Sequence, residues 1–418
     1  MHVVLFEGSL WSGLAPLSLS RPVFTLLSGT SSLLAKQVRH LKPSRLTLWV
    51  RPAMVDYCQR WVVPTLSVPT QVNVPLDDEP ALVISGRTLH FSEYEVPPHQ
   101  AVSVDEANRV RSAFVQAPGL SPTDAIDRTG RWQALLDLPQ MMPQSRTADH
   151  AWDLLAWNEE AIVADFVGLP EGQPLPAGPY HVIEPTSLWL GRDVTLQPGC
   201  VIDASKGPVV LGNGATVGAN AVMQGPCYVG PNATVGPLAN VRAGTSIGPG
   251  CKVAGEVFNS IFLARSNKAH EGFVGNSYVG EWVNLGAGTT TSNLKNTYDE
   301  VSLPLLGTET ISGRRFLGSI VGDHTKIAIN TRLNTGTYIG YSSMIAASHI
   351  TPRYVPSFTF LTDRGAEPYR MDKAMEVMAA MMSRRDITFG DADRAMVDYV
   401  AQVARELESG QARIEDRG

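Results

Sequence analysis

The chain has 418 residues, of which 44% are apolar and 18% charged. This length exceeds that of one ordinary domain and predicts two or three, and the apolar content excludes wholesale disorder. The 34 basic and 40 acidic residues give a net charge of −6, which argues against a nucleic-acid partner bound through a broad basic surface.

The first part of the chain has the pattern of an α/β domain. Apolar runs at 3–6, 45–50 and 81–85 predict buried strands, and residues 30–41 between the first two predict a helix. Strand–helix–strand alternation indicates a largely parallel, Rossmann-like sheet. We expect this domain to span residues 1–180, because the Pro/Gly-rich stretch 169–182 is typical of a link between domains.

The absence of targeting signals and the spacing of the cysteines indicate the cellular compartment that we expect for the protein. The chain shows neither a basic segment followed by an apolar leader nor an 18-residue apolar stretch, so we expect no signal peptide and no membrane span. The cysteines lack a C-x-x-C spacing and are too few to cross-link a chain of this length. We therefore expect free thiols and a cytoplasmic protein. The cysteines are Cys58, Cys200, Cys227 and Cys251.

A six-residue repeat follows the link. From Leu211 to Val253 every sixth residue is aliphatic or Met, usually followed by glycine, and a second such run extends from Val321 to Ile345. A period of six fits short strands joined by turns, with each aliphatic side chain pointing into a stacked prism. The repeat predicts a parallel β-helix over residues 183–360. Helical periodicity after it predicts a C-terminal helical tail over 361–418, with Asp391 or Asp393 capping its second helix.

The repeat is interrupted at 253–274 and at 292–310, and such interruptions often present binding residues. Polar candidates in and near the first interruption are Lys268, His270 and Asn284, with Asn293 at the second. An imidazole titrates near neutrality, so His270 suits a general base. Lys268 and the outward-facing Arg242 suit a phosphate group.

The segment HEGFVGNSYVGEWVNLGAGT resembles the H-L-T-Y-L-G-D-x-x-I-G-x-x-V-N-I-G-A-G-T pattern of the GlmU family. That family combines UDP-N-acetylglucosamine pyrophosphorylase with glucosamine-1-phosphate N-acetyltransferase, and the resemblance implies a left-handed β-helix, a homotrimer and acetyl-CoA as substrate. It also implies residue roles. His270 matches the catalytic base, and Arg242 matches the phosphate-binding arginine, with Lys268 as a candidate substitute for the family's phosphate-binding lysine. Asn284 matches the sugar-contacting asparagine, and Asn293 matches an asparagine at the acetyl-CoA and substrate pocket. Phe273 stands in place of the family's tyrosine, and Ser319 matches a serine near the thioester.

The N-terminal sequence LFEGSLWSGLAPLSLSRPVFTLLSG stands where sugar-nucleotide transferases have a G-x-G-T-R-M loop, and that motif is absent. Together with VISGRTLH and HAWDLLAWNEEAIVADF, it is similar to a variant bacterial branch of GlmU-related sugar nucleotidyltransferases. This resemblance implies nucleotide contacts at Gly8, Arg21 and Gly86, with UTP and Mg²⁺ as partners. Gly86-Arg87 replaces the metal-binding Gly-Asp of the family, which leaves Asp77, Asp78 and Asp153 as alternative metal ligands.

The sequence therefore predicts a transferase of amino-sugar nucleotide synthesis. The β-helix is expected to acetylate a hexosamine 1-phosphate, glucosamine 1-phosphate first among them, and the α/β domain to transfer a uridylyl group to the product. Two alternatives stay open. The α/β domain could be a degenerate sugar-nucleotide-binding module beside an active acetyltransferase, or the whole chain could be a non-catalytic hexapeptide protein.

Overall fold

The structure is a computed structural model that describes residues 1–77, 79–116, 119–122 and 132–409. Asp78, one of the alternative metal ligands, lies outside the described residues, as do residues 410–418 of the tail. Contacts divide the chain into two compact units. The first comprises Met1–Leu14, Ser20–Leu26 and Ser31–His150, and the second comprises Ala15–Leu19, Leu27–Thr30 and the chain from Ala151 onward.

The first unit is built on a six-stranded sheet. Its strands are, in spatial order, Thr70–Val72, Arg45–Trp49, His2–Phe6, Ala81–Ser85, Val110–Val115 and Ala101–Val104. The first four are parallel, Val110–Val115 runs antiparallel to them, and Ala101–Val104 at the edge pairs antiparallel with Val110–Val115. Helix Leu33–Leu41 starts after Ser32, whose hydroxyl accepts a hydrogen bond from the Ala35 amide at 3.2 Å. The predicted Rossmann-like sheet is confirmed.

Shorter elements complete the N-terminal part. The helical turns are Ser9–Leu14, Val23–Thr25, Pro52–Met54, Val55–Tyr57, Cys58–Val62, Val63–Thr65 and Gln133–Leu136. The short strands are Leu27–Ser28, Ser31–Ser32, Thr88–Leu89 and Arg146–Thr147.

The second unit is a left-handed parallel β-helix with three faces, as predicted. Face 1 consists of His181–Ile183, Val201–Asp203, Val222–Gln224, Asn240–Val241, Glu256–Phe258, Phe273–Gly275, Thr290–Thr291, Arg332–Leu333 and Ile350–Thr351. Face 2 consists of Leu188–Leu190, Val209–Leu211, Cys227–Val229, Thr245–Ile247, Ile261–Phe262, Tyr278–Val279, Ser319–Val321, Thr337–Ile339 and Tyr354–Val355. Face 3 consists of Thr195–Leu196, Thr216–Val217, Thr234–Val235, Lys252–Val253, Asn267–Lys268, Asn284–Leu285, Lys326–Ile327, Met344–Ala346 and Thr359–Thr362, with Gly365–Pro368 closing it.

The aliphatic residue of each hexad points into the prism, where these side chains form one continuous buried core. Glycine after the aliphatic residue allows neighbouring coils to approach closely. A Cβ on Gly248 would lie 1.8 Å from the carbonyl oxygen of Leu263 on the next coil, so no other residue fits there without a shift of the backbone.

The structure corrects the first predicted interruption and confirms the second. Residues 253–274 do not leave the coil, since their strands continue the ladders of all three faces. The hexad pattern breaks because the turns of this coil are shorter and because Lys268 occupies the inward position that Val253 and Leu285 occupy on the adjacent coils. The second interruption leaves the coil as a hairpin, Val301–Leu305 with Thr308–Arg314.

Helix Ala151–Val167 packs on face 2 within the second unit. Its buried Asn158 donates to the Gly244 carbonyl at 2.7 Å and to the Ser246 hydroxyl at 3.0 Å, and accepts from the Gly29 amide at 2.6 Å. Segment Leu27–Thr30 covers the same face. These contacts attach two N-terminal segments to the β-helix.

The tail forms the helices Met371–Ser383 and Asp391–Glu408. The N-cap of the second helix is Gly390, not Asp391 or Asp393, because both aspartates lie within the first turn. From the third helical position, Asp393 accepts a hydrogen bond from the Gly390 amide at 2.8 Å. All four cysteines are free and buried, as expected. No helix in the described part of the chain is both long and apolar enough to cross a bilayer.

Candidate functional site

Face 1 of the β-helix carries a cluster of outward side chains around Arg242. The Arg242 guanidinium donates to Glu256 Oε1 at 2.9 Å and lies 4.4 Å from the centre of the Phe258 ring. The strands Glu256–Phe258 and Phe273–Gly275 follow Asn240–Val241 in register. Because neighbouring strands are about 4.8 Å apart, Phe273 and Gly275 stand about 10 Å along the face from Arg242.

Phe273 and Asn293 meet over Gly275. A Cβ on Gly275 would lie 2.4 Å from the Phe273 ring and 2.8 Å from Asn293 Nδ2, so glycine is needed for both side chains to take these places. The Asn293 amide also donates to Asn276 Oδ1 at 2.7 Å, which fixes its orientation. The structure therefore brings Arg242, Phe273 and Asn293 to one face.

His270 lies at the corner that leads from face 3 into face 1, three residues before Phe273, and its side chain is exposed. The corner is held from inside by Lys268. Its ammonium donates to the His270 carbonyl at 2.5 Å and to the Glu271 carbonyl at 2.7 Å. Lys268 is fully buried, and burial lowers its pKa to about 8. Binding a phosphate would require Lys268 to leave these two carbonyls.

Asn284 lies on face 3, away from the Arg242 cluster. It pairs in register with Asn267 on the preceding coil and with Lys326 on the following one. The Lys326 ammonium donates to the carbonyls of Trp282 and His324 at 2.8 and 2.7 Å, and burial lowers its pKa to about 7. A sugar contact by Asn284 stays a prediction.

Ser319 points into the prism, because the first and third residues of the three-residue strands of face 2 face inward, as Val209 and Leu211 do. Its backbone amide donates to the Ser277 hydroxyl at 2.9 Å, and the Ser277 amide in turn donates to Ser260. The Ser319 hydroxyl is fully buried and has no hydrogen-bond partner among the described residues. A place for Ser319 near the thioester likewise stays a prediction.

In the first unit, Gly8 follows the central strand and has a φ of 70°. It lines a small, partly open cleft. Gly86 contacts the end of the same strand, since its amide donates to the Phe6 carbonyl at 2.7 Å. The Arg21 carbonyl accepts from Arg51 at 3.1 Å, and Arg51 is also paired with Glu7 at 3.0 Å.

The cleft contains residues that the sequence analysis missed. Arg87, Arg109 and Trp132 line it together with the Gly8 loop. In the sequence, Arg87 stands out only because it replaces the metal-binding aspartate of the family. Arg109 lies in another connection between strands, just before Val110–Val115. No sequence motif links these positions, because they come from separate elements of the sheet.

The described residues do not fit a Mg²⁺ site. The alternative ligand Asp77 is exposed and paired with Arg45 at 3.0 Å, and Asp153 lies 4.0 Å from Arg314. Across the ranges that the structure describes, no group of three or more histidine, cysteine or acidic side chains could hold a metal ion. We therefore derive no step through Mg²⁺.

Comparison with known proteins agrees with this architecture. Residues 3–173 match the family model of sugar nucleotidyl transferases. The bifunctional sugar-1-phosphate nucleotidylyltransferase/acetyltransferase of Sulfurisphaera tokodaii is 36% identical over 100 residues, which is 24% of this chain and 25% of that protein. The bifunctional protein GlmU of Methanocaldococcus jannaschii is 34% identical over 110 residues, 26% of each chain.

A longer but weaker match is the bifunctional protein GlmU of Thiobacillus denitrificans, 27% identical over 240 residues, which is 51% of this chain and 48% of that protein. The chain thus spans about a quarter to a half of the length of the curated relatives that it matches. The predicted resemblance is confirmed as a similarity: residues 3–173 match the model of the sugar nucleotidyl transferases, and part of the chain is similar to bifunctional GlmU proteins.

Proposed function

We propose that this protein is a bifunctional transferase of amino-sugar nucleotide synthesis. Its β-helix acetylates the amine of a hexosamine 1-phosphate, with glucosamine 1-phosphate as the first candidate, and its first unit transfers a uridylyl group from UTP to the product. The observation that carries the acetyl transfer is the exposed His270 at the edge of the face that bears Arg242, Phe273 and Asn293.

The proposed acetyl transfer needs no covalent enzyme intermediate, because the thioester of acetyl-CoA is already activated. His270 takes a proton from the acceptor amine, the nitrogen attacks the thioester carbon, and the new N–C bond replaces the C–S bond. The CoA thiolate leaves and takes up the proton. Arg242 binds the 1-phosphate, which holds the amine against the thioester and lowers the entropic part of the barrier.

The nucleotidyl transfer rests on the family match of residues 3–173 and on the cleft next to Gly8. A sugar 1-phosphate oxygen attacks the α-phosphorus of UTP, a P–O bond forms, and pyrophosphate leaves. The cleft lies beyond the carboxyl end of the central parallel strand, where open α/β sheets bind their ligands.

The test follows both products across a panel of sugar phosphates and their N-acetylated forms. Acetyl transfer is read as CoA thiol with a disulfide reagent, to which the four buried cysteines contribute little background. Nucleotidyl transfer is read as released pyrophosphate. His270→Ala should lower acetyl transfer about 10²–10⁴-fold and leave pyrophosphate release unchanged. Acetylation by this variant at the wild-type rate would place the base elsewhere.

A further inference from the structure

The cleft of the first unit contains polar groups that lack protein partners. The Ser9 hydroxyl and the Arg87 Nε are both buried, and neither has a hydrogen-bond partner in the part of the chain that the structure describes. Both residues line the cleft. A buried donor without a partner is unfavourable, so two of them in one cleft indicate that a ligand with acceptor atoms completes the site.

The side chains around the cleft also carry an excess of positive charge. Arg87 donates to the Ala148 carbonyl and to Asp149 Oδ1, both at 2.6 Å, and Arg109 lies 3.6 Å from Asp149 and 2.5 Å from Asp105. Arg111 lies 4.0 Å from Asp105. Three guanidinium groups therefore share two carboxylates.

The protonation of Asp149 follows from these neighbours. Burial opposes its ionisation, but the charges of Arg87 and then of Arg109 outweigh burial and hold the pKa of Asp149 below its usual range. Asp149 is thus a charged partner of the arginines. Among the described residues, Asp105 and Asp149 are the carboxylates within 4.0 Å of these three guanidinium groups, so the site favours a ligand that carries negative charge.

The same charges are unfavourable for a divalent cation. A magnesium ion prefers carboxylate oxygens and water, whereas the described carboxylates at this cleft, Glu7, Asp105 and Asp149, are each bound to arginine. An ion placed there would also lie beside Arg87 and Arg109. An arginine fork, by contrast, matches the oxygens of a phosphate group and supplies the charge that a metal ion otherwise provides.

We propose that this cleft binds the polyphosphate of a nucleoside triphosphate directly through Arg87 and Arg109, with the Ser9 hydroxyl as a further donor and without a bridging divalent cation. The nature of the ligand rests on the proposed nucleotidyl transfer. The mode of binding rests on the guanidinium groups, the two unpartnered donors and the open cleft.

The test is equilibrium binding of UTP to the full-length protein by titration calorimetry, in EDTA and in excess Mg²⁺. Wild-type protein should bind UTP in EDTA at least as tightly as in Mg²⁺, because the ion masks the phosphate charge. Arg109→Gln should weaken binding in EDTA by about 10- to 100-fold, the loss of one charge-assisted contact, and Arg109→Lys should recover part of it. Arg109 is the residue of choice because it is partly exposed, whereas substitution of the buried Arg87 risks the fold.

Arg45→Gln is the matched control. Arg45 is also paired with a carboxylate, but it lies at the amino-terminal end of its strand, whereas the cleft lies beyond the carboxyl end of the central strand. UTP binding by Arg45→Gln should therefore be unchanged. Binding that requires Mg²⁺, or equal affinity of the Arg109→Gln and Arg45→Gln proteins in EDTA, would overturn the proposal. UTP binding that needs Arg109 but no metal ion would support the proposal even if no pyrophosphate is released. In that case only the proposed nucleotidyl transfer would be contradicted.

Discussion

Lys268 offers a sharp test of how the acetyl-transfer corner is held. Lys268 occupies an inward position in a column of aliphatic side chains, and its ammonium reaches back to the carbonyls of His270 and Glu271. We predict that Lys268→Met leaves the β-helix folded but slows acetyl transfer. Methionine has a similar length and suits the column formed with Val253 and Leu285.

The expected magnitudes differ for stability and for rate. Two hydrogen bonds from a charged donor are lost, each worth about 1.5–3 kcal/mol. Replacement of a buried charge by an apolar side chain recovers a desolvation cost of similar size. The Glu271 carbonyl still accepts from the Gly288 amide at 3.2 Å, whereas the His270 carbonyl loses its inner donor. We therefore expect the unfolding free energy to fall by about 1–3 kcal/mol. A shift of His270 by about 1 Å would lower kcat on the order of 10²-fold.

The assay compares kcat and KM for the sugar phosphate with the unfolding midpoint in urea. If Lys268 acts through His270, the double variant Lys268→Met/His270→Ala should be no slower than His270→Ala alone, since the two effects cannot add. A variant that raises KM for the sugar phosphate with kcat unchanged would refute this positioning role. That result would assign Lys268 to the phosphate instead.

Three further predictions concern the β-helix. Arg242→Gln should raise KM for the sugar phosphate about 10- to 100-fold, as expected for the loss of one charge-assisted contact. Arg192→Gln, on an early coil, is the control and should leave KM unchanged. Equal KM values of the two variants would contradict the phosphate role of Arg242. Asn158→Ala should lower the unfolding free energy by about 3 kcal/mol, measured by urea unfolding, because the buried hydrogen bonds of Asn158 with Gly29, Gly244 and Ser246 are lost. A change of a few tenths of a kcal/mol would show that these contacts contribute little stability. The pKa of Lys326 is about 7 in the folded protein and has its ordinary value in the unfolded chain, so between these two values the unfolded chain binds more protons and the unfolding free energy rises with pH. Lys326→Met should flatten this rise. Identical pH profiles of the unfolding free energy for the two proteins would contradict the prediction.

The homotrimer implied by the family resemblance also stays a prediction. Light scattering of the purified protein near the 45.1 kDa mass of one chain would count against it.

Local patterns in the sequence determined the fold class. The six-residue period gave the β-helix because each coil repeats the same three short strands, so the signal accumulates along the chain. The strands His2–Phe6, Arg45–Trp49 and Ala81–Ser85 and the helices of the tail followed from runs and periodicities of neighbouring residues in the same way.

Only the tertiary structure decided which way the polar residues of the repeat face. Lys268 breaks the aliphatic pattern, and from sequence alone it is a surface cation, but the ladder pairing places it inside the prism. Ser319 is inward for a related reason, since both ends of its three-residue strand face the core. Side-chain direction depends on the register between coils, and shortened turns change that register without a local signal.

The assignment of segments to units and the assembly of the cleft also needed the tertiary structure. Helix Ala151–Val167 precedes the predicted link, yet Asn158 attaches it to the β-helix through residues about 90 positions away. Arg87 and Arg109 come together at one cleft from two separate connections between strands. Such contacts depend on long-range packing and not on neighbouring residues. The sequence by itself therefore determined the repeat and the types of polar side chain that are present, and the packing determined which of these side chains lie together.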